Sequence, residues 1–158
     1  MEKPPDNVVI ALKQAADKTG VPESLLTAVA YVESRYNPLA ESPVGAKGLM
    51  QIMPINFEPY GITDPFDVTQ SANAGAHILS NLRDKFGNWN QALAAYNWGS
   101  GNVTKNPSES QWPQSVRNYV EKVLDGAELK SGNVFLPLVL SALSIYSIFR
   151  VYKWLSMR

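Results

Sequence analysis

Hydrophobic residues recur at helical spacing through most of the first 126 positions, and prolines and glycines interrupt them. Apolar positions three or four residues apart are typical of helices that bury one face. The pattern predicts helices over residues 6–20, 22–34, 46–53, 67–86, 88–98 and 113–126. No stretch alternates apolar and polar residues for long enough to predict a strand. The pattern therefore indicates an all-α fold of six or so short helices with little or no sheet.

The residues at the helix ends support these boundaries. Asp6 is predicted as an N-cap, and Pro22 suits the first turn of the second helix. Glycines end four of the predicted helices: Gly20, Gly87, Gly99 and Gly126. Residues 37–47 and 54–66 are rich in proline, glycine or serine and are predicted to be irregular. The third helix, residues 46–53, is expected to stop at Pro54.

The pattern changes at residues 134–149, which contain 16 residues without a charge. As a helix they would extend ~24 Å, somewhat less than the ~30 Å hydrocarbon core of a bilayer. Continuing the helix to Leu155 would lengthen it, with Arg150 and Lys153 reaching the headgroups. We therefore predict one C-terminal hydrophobic helix, residues 133–155, that spans or anchors in a membrane. The alternative is a buried core helix or a segment that packs on partner proteins.

This prediction divides the chain into a domain of residues 1–127, a linker of residues 128–132 and the membrane helix. Basic residues near the C-terminus place that end on the cytoplasmic side, or on the corresponding side of a viral membrane. The N-terminal residues have no apolar segment after their charges, so we expect no cleaved signal peptide.

Composition excludes several other classes of function. The chain has 14 basic and 14 acidic residues, and no basic field favours nucleic acid as a partner. It contains no cysteine and a single histidine, His77, which excludes disulfides and thiolate or multi-histidine metal sites. We therefore expect no metal and no cofactor.

Glu33 is the candidate for chemistry. At about 100° per residue it falls on the same side of its helix as the apolar residues Leu26, Val29 and Ala30. Burial disfavours an ionised carboxylate and raises its pKa, so a carboxyl group there can act as a general acid near neutral pH. Taken alone, the position also fits a glutamate paired with an arginine at a helix end.

Four motifs in order resemble the soluble lytic transglycosylase domain of the lysozyme-like superfamily. They are Glu33 to Pro38 (ESRYNP), Ser42 to Pro54 (SPVGAKGLMQIMP), Ala94 to Gly101 (AAYNWGSG), and Pro113 with Tyr119, Val120 and Val123. The resemblance covers roughly residues 8–125. Two residues depart from the family pattern, Glu41 and Trp98, and both are expected to alter the substrate groove.

The resemblance implies a lysozyme-like fold and cleavage of peptidoglycan glycan strands between N-acetylmuramic acid and N-acetylglucosamine. The 6-hydroxyl of muramic acid attacks, which gives a 1,6-anhydro product, and Glu33 would serve first as acid and then as base. The resemblance also implies substrate-binding residues: Ser42, Met50, Gln51, Tyr96, Asn97 and Tyr119. Tyr119 would orient Glu33 or the substrate, or else be a core aromatic residue.

Several alternatives remain open from the sequence. A goose-type muramidase on the same fold would hydrolyse the same bond, and an inactive wall-binding virion protein would cleave nothing. The domain with a hydrophobic tail resembles phage enzymes that open the wall locally to deliver a genome, which would make the virion membrane its location and other virion proteins its partners. A bacterial inner-membrane enzyme facing the periplasm is the alternative location.

Overall fold

A computed structural model describes residues 1–128 of the chain, and these residues are mostly helical. The helices are α1 (Asp6–Thr19), α2 (Glu23–Ser34), α3 (Val68–Phe86), α4 (Trp89–Trp98), α5 (Ser100–Lys105) and α6 (Gln114–Gly126). Two short 3₁₀ turns, Pro54–Asn56 and Glu109–Gln111, lie between them. The part of the chain described contains no strand, only two isolated bridges that involve Lys47. The predicted all-α architecture is confirmed for this part.

Most helix ends follow from local chemistry. Asp67 and Asn88 cap α3 and α4, because their side-chain oxygens accept bonds from the backbone N–H groups three residues ahead at 2.7 and 2.8 Å. Gly20 and Gly87 end α1 and α3 in the left-handed conformation. The predicted N-cap role of Asp6 is wrong, since Pro5 occupies the cap position and Asp6 is the first helical residue.

The predicted helix over residues 46–53 is also wrong. This segment forms turns, with Gly48 at φ 79° and Gln51 at φ 49°, both in the left-handed region. A Cβ atom on Gly48 would lie 2.0 Å from the carbonyl oxygen of Pro65. Only glycine, which has no side chain, therefore allows the loop to approach the Pro65 backbone so closely. Tertiary contacts thus override the helical pattern of this apolar run. We call residues 48–51 the central loop.

The core is built around α2, which has five residues without exposed surface. They are Leu25, Leu26, Ala28, Val29 and Ala30. α1, α3 and α6 pack against α2, and α3 also packs on α1 and α4. Because α2 packs against three helices, its C-terminal turn holds Glu33 at the edge of the core.

The predicted linker after residue 128 and the hydrophobic helix over residues 133–155 lie outside the described residues. Within residues 1–128, none of the helices combines the length and apolar character needed to cross a bilayer.

Candidate active site

Glu33 lies in the last turn of α2, which is followed by two residues of positive φ, Arg35 and Tyr36. Burial raises the pKa of its carboxyl group from 4.5 to about 7, and a hydrogen bond from Tyr119 partly opposes this rise. The C-terminal end of a helix also disfavours negative charge. Near neutral pH this carboxyl group therefore exists in both protonation states, as an acid or a base requires.

Tyr119 of α6 is the hydrogen-bonding partner of that carboxyl group. Its hydroxyl donates to Glu33 Oε1 at 2.7 Å, and the side chain is only 7% exposed. Burial raises the pKa of Tyr119 well above its usual value, and the nearby Glu33 and Tyr96 add to this effect. Tyr119 therefore stays protonated and remains a donor. Of the arrangements expected for Tyr119, the hydroxyl contacts Glu33 and does not lie at the surface, while the orienting role stays a prediction.

Tyr96 of α4 is hydrogen-bonded to the central loop. Its hydroxyl donates to the carbonyl oxygen of Met50 at 2.8 Å. Burial raises the pKa of Tyr96 well above its usual value, and the charge of Glu33 raises it further. Tyr96, Tyr119 and Glu33 therefore form one cluster, although they come from three different helices.

Hydroxyl groups from three helices hold the central loop. Ser34 of α2 donates to the carbonyl oxygen of Leu49 at 2.7 Å. Ser71 of α3, which is 1% exposed, accepts the N–H of Met50 at 3.0 Å. Together with the bond from Tyr96, these contacts satisfy backbone groups that the non-helical loop would otherwise leave buried without partners. The loop is thereby fixed beside Glu33.

The remaining predicted binding residues occupy different environments. Gln51 lies in the central loop, and its side-chain amide donates to the carbonyl oxygens of Ala40 and Gly48, each at 3.1 Å. Ser42 accepts the N–H of Ala46 at 3.0 Å and closes a turn. Asn97 is exposed at the end of α4.

The side chain of Met50 does not face solvent as its predicted contact with sugar requires. It has no exposed surface and packs directly on Gly75, where an added Cβ atom would lie 2.7 Å from the Met50 methyl carbon. The contribution of Met50 to this region is its backbone, which Tyr96 and Ser71 hold.

A cleft of about 540 Å³ opens beside this cluster. Tyr96 and Asn97 line it together with Trp98, and residues of α3 and of the Pro54–Asn56 turn complete its walls. Glu33 itself is not among the lining residues, and Tyr96 connects the cleft wall to the central loop. This cleft is large enough to hold part of a polymeric substrate.

The four acids that follow Glu33 in the sequence have other roles or lie exposed. Glu41 is exposed and pairs with Lys47 at 3.3 Å. Asp64 accepts the N–H of Phe66, and Asp67 caps α3. Glu58 is exposed on a loop. Among residues 1–128, no three acids, histidines or cysteines cluster in a way that could hold a metal ion.

Sequence reasoning missed Ser34 and Ser71 as supports of the central loop. Their partners lie 15 and 21 residues away in the sequence, so no local sequence pattern indicates these hydrogen bonds. A serine at the fully buried position 71, between the alanines of an apolar helix face, was the available signal, because a buried hydroxyl needs a partner.

Comparison with known proteins gives a consistent result. Residues 10–118 match the family described as the transglycosylase SLT domain. The chain is 39% identical over 99 residues to a membrane-bound lytic murein transglycosylase F of Desulfosudis oleivorans, and 36% identical over 109 residues to a transglycosylase of Enterobacteria phage PRD1. These matches cover 58% and 69% of this chain, but only 22% and 38% of the two relatives.

Solved structures resemble the fold as well. The 70 kDa soluble lytic transglycosylase of Escherichia coli superposes with a TM-score of 0.66 at 31% identity, over 76% of this chain and 23% of that one. An inactive glutamate-to-glutamine mutant of the Pseudomonas aeruginosa lytic transglycosylase superposes with the same TM-score at 29% identity, over 75% and 23% of the two chains. The chain thus spans about a quarter of these larger enzymes.

Proposed function

The chain belongs to the transglycosylase SLT domain family, and from this premise we propose that it is a peptidoglycan lytic transglycosylase with Glu33 as its catalytic residue. The reaction would cleave the β-1,4 bond between N-acetylmuramic acid and N-acetylglucosamine. The observation that carries the proposal is the half-buried carboxyl group of Glu33, which accepts the Tyr119 hydrogen bond and whose pKa burial raises to about 7.

In the first step, Glu33 would protonate the glycosidic oxygen as the bond from that oxygen to C1 of muramic acid breaks. Because Oε1 accepts the Tyr119 bond, the transferable proton belongs on Oε2. Burial keeps a substantial fraction of Glu33 protonated near neutral pH. The leaving N-acetylglucosamine departs with the proton as its new 4-hydroxyl.

In the second step, the carboxylate left on Glu33 would remove the proton of the 6-hydroxyl of muramic acid. The freed oxygen bonds to C1 and closes the 1,6-anhydro ring, so the carboxyl group is regenerated and no water is consumed. The Tyr119 bond favours the charged form of Glu33 and would support the first step, in which the carboxylate forms. One carboxyl group can therefore serve as acid and as base.

The surroundings of Glu33 support attack by the substrate rather than by water. Glycosidases with two carboxyl groups need a second acid at a defined separation. The four acids that follow Glu33 in the sequence are exposed, and three of them are engaged in an ion pair, a turn and a helix cap. The intramolecular route needs no such partner.

We further propose that the glycan strand contacts the surface formed by the central loop and the end of α4. Gln51, Ser42, Tyr96 and Asn97 offer amide and hydroxyl groups to sugar hydroxyls and acetamides. Trp98, half-buried in the cleft wall, offers an aromatic face.

Clearing of purified peptidoglycan tests the catalytic assignment. Glu33→Gln keeps the shape of the side chain and an oxygen that can accept the Tyr119 bond, but it has no transferable proton. We expect it to abolish clearing while the circular dichroism spectrum stays unchanged. Glu58→Gln, an exposed matched control, should clear normally. Near wild-type clearing by Glu33→Gln would refute the assignment, and binding of peptidoglycan by the wild type without release of muropeptides would favour an inactive wall-binding protein.

For location we propose a domain of residues 1–127, a linker of residues 128–132 and a membrane anchor of residues 133–155. The anchor would confine cleavage to wall near the membrane, as in local opening of the wall for phage genome delivery. Similarity to a phage transglycosylase supports the virion, and similarity to membrane-bound bacterial transglycosylases supports an inner membrane. Carbonate extraction of membranes and mass spectrometry of purified virions distinguish these locations, and release by carbonate would contradict the anchor.

A further inference from the structure

A second pocket, of about 290 Å³, lies beside α2 and α6 and shares no lining residue with the cleft. Its lining consists of Met1, Tyr31, Val32, Arg35 and Lys122. Tyr31 lies two residues before Glu33 on α2, so at about 100° per residue the two side chains point about 160° apart. The proposed reaction uses none of the five residues that line this pocket.

The charged residues of this pocket are both basic. Arg35 and Lys122 are exposed, and neither forms an ion pair within residues 1–128. Among the described residues, no acid lines the pocket, although Glu2 and Glu121 are adjacent in sequence to residues that do. Like charges that face one pocket repel each other, and an anion between them would remove this repulsion. The pocket therefore has the charge of an anion-binding site.

Tyr31 holds the guanidinium group of Arg35 in place. Nη1 of Arg35 donates to the Tyr31 hydroxyl at 2.5 Å, and the guanidinium carbon lies 4.9 Å from the centre of the Tyr31 ring. A guanidinium group has five N–H donors, so this bond leaves others for a ligand. Such a group can bind two oxygens of one phosphate at once. Because the Arg35 side chain is already ordered, binding would cost less conformational entropy.

The pocket also lies close to the point where the chain leaves the domain. Met1 lines the pocket and packs on Gly126 at the end of α6, where an added Cβ atom would lie 2.8 Å from the Met1 sulfur. Lys122 lies about 6 Å before this helix end. From Glu128 to Val134, where the charge-free run begins, an extended chain spans at most about 20 Å. The anchor proposed for residues 133–155 would therefore hold the pocket near the lipid headgroups.

We propose that this pocket binds the phosphate group of an anionic membrane lipid, with Arg35 and Lys122 contacting the phosphate oxygens and with Met1 and Val32 contacting the adjoining aliphatic atoms. This inference rests on the membrane anchor of the proposed function. Met1 is 59% exposed, and an exposed apolar side chain beside two cations suits a lipid surface. Binding would fix one face of the domain on the bilayer and leave the cleft free for the glycan strand.

The test measures docking of the full-length chain on lipid vesicles. Because the chain contains no cysteine, Asn118→Cys can carry a single fluorescent label. Asn118 is exposed on α6, one turn before Lys122. Nitroxide groups on the lipid headgroups quench the label when the domain lies on the membrane, so quenching gives the ratio of docked to undocked chains. We expect a higher ratio on anionic phosphatidylglycerol than on phosphatidylcholine, and a lower ratio in added salt.

Variants of the two basic residues locate the effect. Lys122→Gln should lower the docked ratio on phosphatidylglycerol about fivefold, as the loss of one basic contact predicts, whereas Lys122→Arg should retain it. Arg35→Gln should lower the ratio by a similar factor. Lys105→Gln removes an exposed lysine of α5 outside the pocket and is the matched control. Thermal unfolding checks that each variant is folded, and the exposed Lys122 decides the test where Arg35→Gln is not.

Equal docked ratios on the two lipids, or an unchanged ratio in Lys122→Gln, would overturn the proposal. An equal loss in Lys105→Gln would also overturn it, since net charge and not the pocket would then cause docking. Flotation with phosphatidylcholine vesicles tests the anchor separately. If the chain does not float with them, the proposed anchor fails, and flotation with phosphatidylglycerol vesicles tests the pocket alone. The wild type should then float more than Lys122→Gln, and equal flotation of the two would overturn the proposal.

Discussion

The raised pKa of Glu33 makes a prediction about stability as well as about catalysis. In the unfolded chain the carboxyl group loses its proton near its ordinary value of 4.5, whereas in the folded protein it keeps the proton up to about 7. Between these values the folded state binds more protons than the unfolded state. The free energy of unfolding must therefore fall as the pH rises from about 4.5 to 7.

The size of this effect follows from the two pKa values. Each pKa unit corresponds to about 1.4 kcal/mol, so the change from 4.5 to about 7 costs the folded state about 3 kcal/mol at pH 8. Glu33→Gln removes the ionisation. The mutant should match the wild type in stability near pH 4 and exceed it by about 3 kcal/mol at pH 8, which is a rise of roughly 10 °C in Tm.

Thermal unfolding of the full-length chain in mild detergent, followed by far-ultraviolet circular dichroism between pH 4 and pH 8, measures this difference. Glu58→Gln, an exposed glutamate, is the control and should differ from the wild type by a small amount that does not change with pH. A Glu33→Gln stability difference that stays constant from pH 4 to pH 8 would show that the carboxyl group is not buried as described.

Three further predictions concern the residues around Glu33. Tyr119→Phe removes a bond that lowers the Glu33 pKa, so the loss of kcat/KM at alkaline pH should shift to higher pH; an unshifted profile would contradict the bond. Ser71→Ala leaves the Met50 N–H buried without a partner and should cost about 1–3 kcal/mol in urea unfolding, whereas the exposed Ser115→Ala should cost little. Gly48→Ala should cost more than Gly87→Ala, since both glycines have φ 79° but only Gly48 meets backbone, the Pro65 oxygen; equal losses of Tm would contradict the close approach.

Local chemistry explains why most helices could be predicted. Capping residues such as Asp67 and Asn88, and glycines such as Gly20 and Gly87, act within one turn of the helices they bound. α5 (Ser100–Lys105) was missed because six residues are too few to show a hydrophobic period. The central loop was mistaken for a helix because its conformation depends on Ser71 and Pro65, which the spacing of apolar residues does not reveal.

In the candidate site, too, some features could be predicted from the sequence and others depend on how the helices pack. The inward direction of Glu33 follows from its position on α2 and could be predicted from the sequence. The bond from Tyr119, 86 residues away, depends on how α6 packs against α2. The burial of the Met50 side chain against Gly75 likewise depends on how closely α3 approaches. The sequence predicts contact between Met50 and sugar and does not reveal that its side chain lies in the core.

The central claim is that Glu33 supports attack by the substrate's own 6-hydroxyl, and the masses of the products test it most directly. Purified peptidoglycan is digested with the wild-type chain and with Glu33→Gln, and the released muropeptides are analysed by mass spectrometry. We expect wild-type products that end in 1,6-anhydromuramic acid, lighter by one water than the products of hydrolysis, and no products from Glu33→Gln. Wild-type products heavier by one water would identify a muramidase and contradict the account.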